Sequence, residues 1–383
     1  MSERGKVFVN INDSHDGIYI RCLIEFTKSI KEFRFKLGLP LQIDSINADA
    51  EISWLECDTQ KAQMPTNPDI REIVVDSADY INSLDIRYSG LPHGWLNAVN
   101  DTQIALFWSS SWRIFDTSVP VEFDIVFENA TDYDVWEYYS TGIFAFKKGV
   151  YHSVACGDFT SHCIKQEHVA YGELLAEHYN KIIAFYSSLY YPVDLGRFEA
   201  LIMDIKDSEG ALIGESLLII GKVPDFADAE QMRHHAVMLI GHEFGHAWFG
   251  ADWSSWEVWL GETGAEWSML LYLLTEGDTQ CFESRIEELR TLEAELDEID
   301  DSYVIKTADL SCPEFGAHSR GTLLFYEVYR RYGLDVIKTI LQTMGTLKKP
   351  DTDMLLTKLR ATLGDEIPNL IEQGLTARDY SAL

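Results

Sequence analysis

His242-Glu243-Phe244-Gly245-His246-Ala247-Trp248-Phe249-Gly250, followed by Trp259-Leu260-Gly261-Glu262-Thr263-Gly264-Ala265-Glu266-Trp267, is the stretch on which the reading of this chain turns. Apolar spacing predicts a helix over 228–249. On it His242 and His246 stand about one turn apart on one face, so both imidazoles can reach one ion. Glu243 is rotated by about 100° from His242, a poor third ligand but well placed to hydrogen-bond a water at the ion's open position. Imidazole and carboxylate suit zinc, and a catalytic zinc site takes three protein ligands and leaves the fourth position to water. The expectation is one zinc per chain, with Glu243 as general base. The bland alternative is a buried helix with satisfied core histidines.

The third ligand is expected from the next helix. A helical pattern over 262–275 follows the loop Gly250–Trp256, and Glu262 in its first turn can face the histidine pair across a helix–loop–helix. Glu266, one turn further on the same face, is a candidate to accept a hydrogen bond from a ligand histidine and fix its tautomer. The other reading is a surface helix carrying two acids. His234 and His235 precede the pair on the same helix; His235, seven residues from His242 and on its face, is read as structural because three ligands are already in hand. The tryptophans at 248, 253, 256, 259 and 267 are read as packing beneath the site, with a pocket-lining role for one of them as the alternative.

Working outward, the pattern changes near residue 166. Before it, alternating or β-branched runs recur at Lys6–Ile11, Gly17–Phe26, Phe33–Leu37, Glu72–Val75, Ser83–Tyr88, Thr102–Phe107, Val121–Phe127 and Gly142–Val154. They are separated by Asp, Asn, Gly and Pro, and Asp16-Gly17 reads as a hairpin turn. After it come a helix over Ala170–Leu189, strand-like runs at Arg197–Ile205 and Ala211–Ile220, and then helices. These are expected at 228–249, 262–275, 280–298, 320–332, 334–344, 351–363 and 366–373. The expected class is α+β, a β domain over 1–166 followed by a mostly α domain over 167–383.

The net charge of -31 over 383 residues argues against nucleic acid and anionic membrane as partners. Such a field suits a cationic or amine-bearing substrate, and it also suits solubility. The chain opens on Met-Ser-Glu-Arg-Gly-Lys without an apolar leader, and no apolar run reaches the ~18 residues of a membrane span, so a cytoplasmic protein is expected. Six cysteines lack framework spacing and read as reduced thiols. Cys156 and Cys163 bracket His162 closely enough to raise a second metal site as the minor alternative.

The quoted stretches resemble the aminopeptidase N and leukotriene hydrolase family of zinc metallopeptidases. That family's pattern is H-E-x-x-H-Q-W-F-G followed by W-L-N-E-G-F-A. The resemblance includes the tail after the second histidine and the frame around Glu262. It implies a saddle-like all-β N-terminal domain and a thermolysin-like catalytic domain that together cover nearly the whole chain. It also implies that the family's C-terminal helical domain is missing, leaving a cleft that is open or covered by a partner chain or oligomer.

Three departures stand beside it. Fifteen residues separate His246 from Glu262, fewer than in the family, a difference that a loop between helices can absorb. The family's G-x-M-E-N motif, whose Glu holds the substrate amine, is replaced by Gly214-Glu215-Ser216 on the expected strand Ala211–Ile220. Glu215 is either that anchor or a solvent-facing strand residue. The family's tyrosine-bearing P-Y-E-K-G segment aligns with Ala317-His318-Ser319-Arg320-Gly321. His318 is either the oxyanion donor in the tyrosine's place or a loop residue without a role.

The leading expectation is an aminopeptidase-like zinc hydrolase of an amide bond in a peptide or an amine-bearing small molecule. One rival turns the same site to ring opening or cyclisation of a small molecule or modified peptide. The other is a zinc-bound binding scaffold without catalysis.

Overall fold

The computed structural model describes residues 3–11, 17–61, 68–92, 94–107, 111–128, 130–138, 142–206, 208, 210–214, 216–250, 255–299, 304–307, 313–377 and 380. The chain is α+β, as its sequence predicts. The first strands are β1 (Glu3–Ile11), β2 (Ile18–Gly38), β3 (Gln42–Ala48), β4 (Ile52–Gln60) and β5 (Ile70–Gly90). Next come β6 (Ala98–Val99), β7 (Gln103–Leu106), β8 (Val121–Phe127), β9 (Tyr133–Tyr138), β10 (Gly142–Lys147), β11 (His152–Cys156) and β12 (Phe159–Cys163). Helix α1 (Val169–Leu189) precedes β13 (Phe198–Ile202), β14 (Gly210–Ile213) and β15 (Leu217–Lys222). The helices that follow are α2 (Ala229–Gly245), α3 (Val258–Glu276), α4 (Thr279–Ile299), α5 (Pro313–Tyr332), α6 (Leu334–Gly345), α7 (Thr352–Leu363) and α8 (Glu366–Gly374).

Among the described residues the strands form three sheets. Their orders are β3-β5-β2-β1-β8 with β4 also on β5, β6-β7-β10-β9, and β11-β12-β13-β15-β14. Strand β1 shows the period-two logic plainly: Val7, Val9 and Ile11 are buried while Arg4 and Lys6 face out. The structure corrects several strand expectations. The runs Gly17–Phe26 and Phe33–Leu37 belong to the single strand β2, and Glu72–Val75 and Ser83–Tyr88 to β5. Their polar middles keep pairing through register shifts near Ile30, so hydrogen bonding carries the strand where burial does not. Strand β4 shows no alternation and exposes Trp54 and Leu55, because its ladder to β5 holds it. The run Gly142–Val154 divides into β10 and β11 around Gly149, whose φ of 76° favours glycine. The run Ala211–Ile220 is two antiparallel strands, β14 ending at Ile213 and β15 beginning at Leu217.

The chain folds as two compact units. One comprises Met1–Val154, Ser161–Gly172 and Glu199–Asp225; the other comprises Ala155–Thr160, Glu173–Phe198 and Phe226–Leu383. The first unit's cores are built by its sheets, for example around Val7, Phe33, Ile73 and Ile86, and around Phe107, Phe144, Leu201 and Ile219. In the second unit α3 is the central element: residues 258 to 273 are all buried, as befits a helix covered on every side. It packs against α2, α4, α5 and α6. Among the described residues no helix is long and apolar enough to cross a membrane.

Small residues set the spacing of α2 and α3. A Cβ on Gly241 would lie 2.6 Å from Met269 Cγ, and one on Gly245 would lie 2.8 Å from the Ala265 Cα. The second contact is with backbone, which cannot rotate away. Gly245→Ala is therefore expected to destabilise the protein by about 1–3 kcal/mol through overpacking, despite alanine's better helix propensity. Urea denaturation measures this, and unchanged stability would show that the seam tolerates a methyl group.

Candidate metal centre

Helix α2 starts at Asp228, whose side chain accepts a hydrogen bond from the Gln231 N–H at 2.8 Å. Its far end is anchored by Tyr179 and Tyr186 of α1 and by Phe198. The Phe244 ring sits 4.6 Å from Phe198 and 4.8 Å from Tyr179, centroid to centroid, and the Tyr186 hydroxyl donates to the Gly241 carbonyl at 2.8 Å. The residue between Glu243 and Gly245 is thus the helix's apolar anchor. Helix α2 ends at Gly245 rather than at 249, with His246 as its C-cap. With Gly241 and Gly245 against α3, the adjacent face that carries His242 and runs on to His246 meets the α3 ridge carrying Glu262 and Glu266. Helix α3 begins at Val258, four residues earlier than expected, so Glu262 stands in its second turn rather than its first.

His242 Nε2 lies 3.4 Å and His246 Nε2 3.6 Å from Glu262 Oε2, and the three donor atoms are within 4.8 Å of one another. Four ligands at zinc bond lengths of roughly 2.1 Å form a tetrahedron with edges of about 3.4 Å, so this spacing fits an ion of that size. The other ring nitrogens are committed elsewhere. His242 Nδ1 is 2.8 Å from Glu266 Oε2, and His246 Nδ1–H donates to the Phe249 carbonyl at 3.1 Å. A carbonyl and a carboxylate only accept, so both Nδ1 atoms carry protons, and both Nε2 atoms face Glu262. Glu243, half-buried, follows His242 directly on α2.

Burial opposes charge on Glu266, yet Arg285 and His242 overcome it and hold the carboxyl well below the usual range. Burial likewise opposes charge on His242, but Glu262 and Glu266 outweigh it and push the imidazole up to about 10. His246 is raised against burial by Glu262. Burial raises the Glu243 carboxyl, while the two histidines pull the other way. In the metal-free protein a proton is therefore held on His242 between two carboxylates, where an ion would take its place.

Two further candidates are Glu215 and His318. Glu215 lies outside the described residues. The helix expected from 320 begins at Pro313, a residue whose fixed φ suits a first helical position. His318 is consequently inside α5 rather than before it, and its side chain lies outside the described residues. His235 sits beside the Phe226 ring, with centroids 5.3 Å apart. The sequence reading missed Arg285 of α4, which grips Glu266 at 2.7 Å, and the Phe249 carbonyl. Arg285 lies in an ordinary amphipathic helix pattern, and a carbonyl has no residue identity, so neither leaves a sequence signal.

A second set of donor atoms, on His234, Asp278 and Cys281, is similarly close. Asp278 is already engaged: Oδ2 takes the Arg233 guanidinium at 2.7 Å, and Oδ1 accepts from the Cys281 N–H at 3.2 Å at the start of α4. Burial pushes the Cys281 thiol up to about 12, away from the thiolate a metal needs. This group is a helix cap tied to α2. Among the described residues, neither group includes Cys156, His162 or Cys163.

No family model and no curated protein sequence matches this chain. Solved structures do. Yeast LTA4 hydrolase in complex with bestatin matches over 95% of this chain and 66% of its own, with a TM-score of 0.59 and 14% identity. The native yeast enzyme gives 0.57 at 14% identity, over 97% and 66%. An M1 zinc metallopeptidase from Deinococcus radiodurans matches over 99% of this chain and 94% of its own, with a TM-score of 0.50 and 13% identity. The chain spans just under two thirds of the yeast enzyme's length. At these identities the likeness establishes the fold: this chain has the fold that the M1 zinc metallopeptidase and LTA4 hydrolase structures share.

The proton on His242 makes metal binding depend on pH in a definite direction. Below about 10 an ion must displace that proton, so zinc affinity is expected to rise with pH toward that value, by up to about tenfold per pH unit per proton released. Calorimetric titration in buffers of different ionisation enthalpy counts the protons released. Affinity independent of pH between about 6 and about 9 would contradict this donor set.

Proposed function

We propose that this protein is a zinc-dependent hydrolase of amide bonds, with His242, His246 and Glu262 as metal ligands and its catalytic part within 167–383. The observation that carries the reading is the spacing of those three donors, with both Nδ1 atoms turned away and Glu243 beside them. Zinc, when bound, supplies Lewis acidity that polarises a carbonyl and lowers the pKa of water to about 7. Glu243 then takes the proton of the attacking water and returns it to the leaving amine. Burial, by raising that carboxyl's pKa, suits it to both halves of the transfer. Glu266 holds the Nδ1 proton of His242 and so keeps the ligand tautomer in place.

The fold shared with zinc metallopeptidases supports an aminopeptidase-like reaction on a peptide N-terminus. The net charge of -31 supports a substrate bearing an amine. On the strength of the sequence resemblance, Glu215 is assigned to hold that amine and His318 to donate to the oxyanion. The departures at these two positions support the rival reading, in which the same zinc site serves a specialised reaction.

A panel of aminoacyl-fluorophore amides tests the proposal. Zinc-loaded protein is expected to release the fluorophore, and Glu243→Gln is expected to lose about 10²–10⁴-fold in turnover while still holding one zinc per chain. No release by protein with one zinc bound would sink the aminopeptidase reading and favour the specialised reaction. Equal turnover in the variant would remove Glu243 from the mechanism.

A further inference from the structure

Behind the donor set runs a line of contacts into α4. Glu266 is fully buried. Its Oε1 is 2.7 Å from Arg285 Nε, and its Oε2 is 3.3 Å from Arg285 Nη2 as well as 2.8 Å from His242 Nδ1. Arg285 is itself largely buried, and its remaining arm, Nη1, reaches Glu288 Oε2 at 2.8 Å. The guanidinium thus meets both oxygens of Glu266, the planar fork-to-fork arrangement that fixes orientation as well as position.

That orientation matters because the last torsion of a glutamate is soft, a broad twofold well rather than a sharp rotamer. Left to itself the carboxylate could turn Oε2 away from the imidazole, freeing the ring of His242 to rotate. Arg285 closes that freedom, and its charge balances the buried carboxylate without calling on the histidine. Helix α4 is set in register for the task. Gly277, with φ of 78°, ends α3, and Asp278 caps α4 while accepting from Arg233 of α2. Arg233–Asp278 and His242–Glu266–Arg285 are therefore two rungs tying α4 to the metal-bearing helix, with Asp278 and Arg285 two turns apart on α4.

We propose that Arg285 is a positioning residue for the metal centre, orienting Glu266 so that His242 presents Nε2 to the ion. The inference rests on the metal reading above, and the experiment separates failure of one from failure of the other. Zinc affinity of the full metal-free chain is measured by competition with a chromophoric chelator, and coordination geometry by the visible spectrum of the cobalt(II) form. The variants are Arg285→Met, Arg285→Lys, Glu266→Gln and the double variant Glu266→Gln/Arg285→Met.

Arg285→Met is expected to weaken zinc binding by about 10–100-fold and to change the cobalt spectrum, as loss of an outer-shell partner does. Arg285→Lys, keeping the charge without the fork, is expected to lose less. In the Glu266→Gln background, Arg285→Met should cost under about threefold, because its effect passes through Glu266. Wild-type affinity and spectrum in both folded Arg285 variants would overturn the proposal. So would an undiminished loss in the Gln background. Should Arg285→Met fail to fold, the lysine and double variants decide by the same criteria. A wild-type chain that binds neither zinc nor cobalt overturns the metal reading itself, and this inference with it.

Discussion

Two carboxylates, Glu262 and Glu266, sit one turn apart on a helix that is buried on every side. Stripping a buried ion pair of one partner typically costs about 3–5 kcal/mol, so acids in this position require counter-charges from neighbouring helices. Those come from two directions. Helix α2 brings His242 and His246 to Glu262, and α4 brings Arg285 to Glu266. The helices around α3 are thus arranged by an electrostatic demand as much as by a hydrophobic one. A metal centre is one way in which nature meets that demand.

The demand can be met only because the helices come close. Gly241 and Gly245 let α3 approach α2, Gly264 makes room for the Phe249 ring, and Gly321 lets α5 lie against Thr263 and Trp259. Small residues here serve packing rather than backbone freedom. The contact of Phe244 with Phe198 and the Tyr186 hydroxyl on the Gly241 carbonyl hold the histidine-bearing end of α2 in place. Trp267 of α3 adds a hydrogen bond to the Thr322 carbonyl, locking α5 onto the same frame.

A fold shared at 13–14% identity shows how little of it depends on particular side chains. Function cannot be read from such a likeness alone, since folds host many chemistries. It has to come from the site, where each imidazole gives one nitrogen to a fixed acceptor and turns the other to Glu262. Such an arrangement is poorly explained by packing, which would be served as well by apolar residues of the same volume.

Much of this was legible in the sequence, for a local reason. The common face of His242 and His246 follows from helix geometry over four residues, and the later helices, from α2 to α8, announce themselves through apolar spacing. The strand middles of β2 and β5 did not, since long-range hydrogen bonding rather than alternation holds them. Glu262 and Glu266 could be named as candidates, because one turn separates them. That they are buried, and that they face the histidines, depends on how closely two helices pack, which small residues permit but do not by themselves prescribe. The sequence by itself determined which side chains could share an ion. Only the tertiary structure decided what grips them from behind, because the Phe249 carbonyl and Arg285 act through space, at distances along the chain that no periodicity connects.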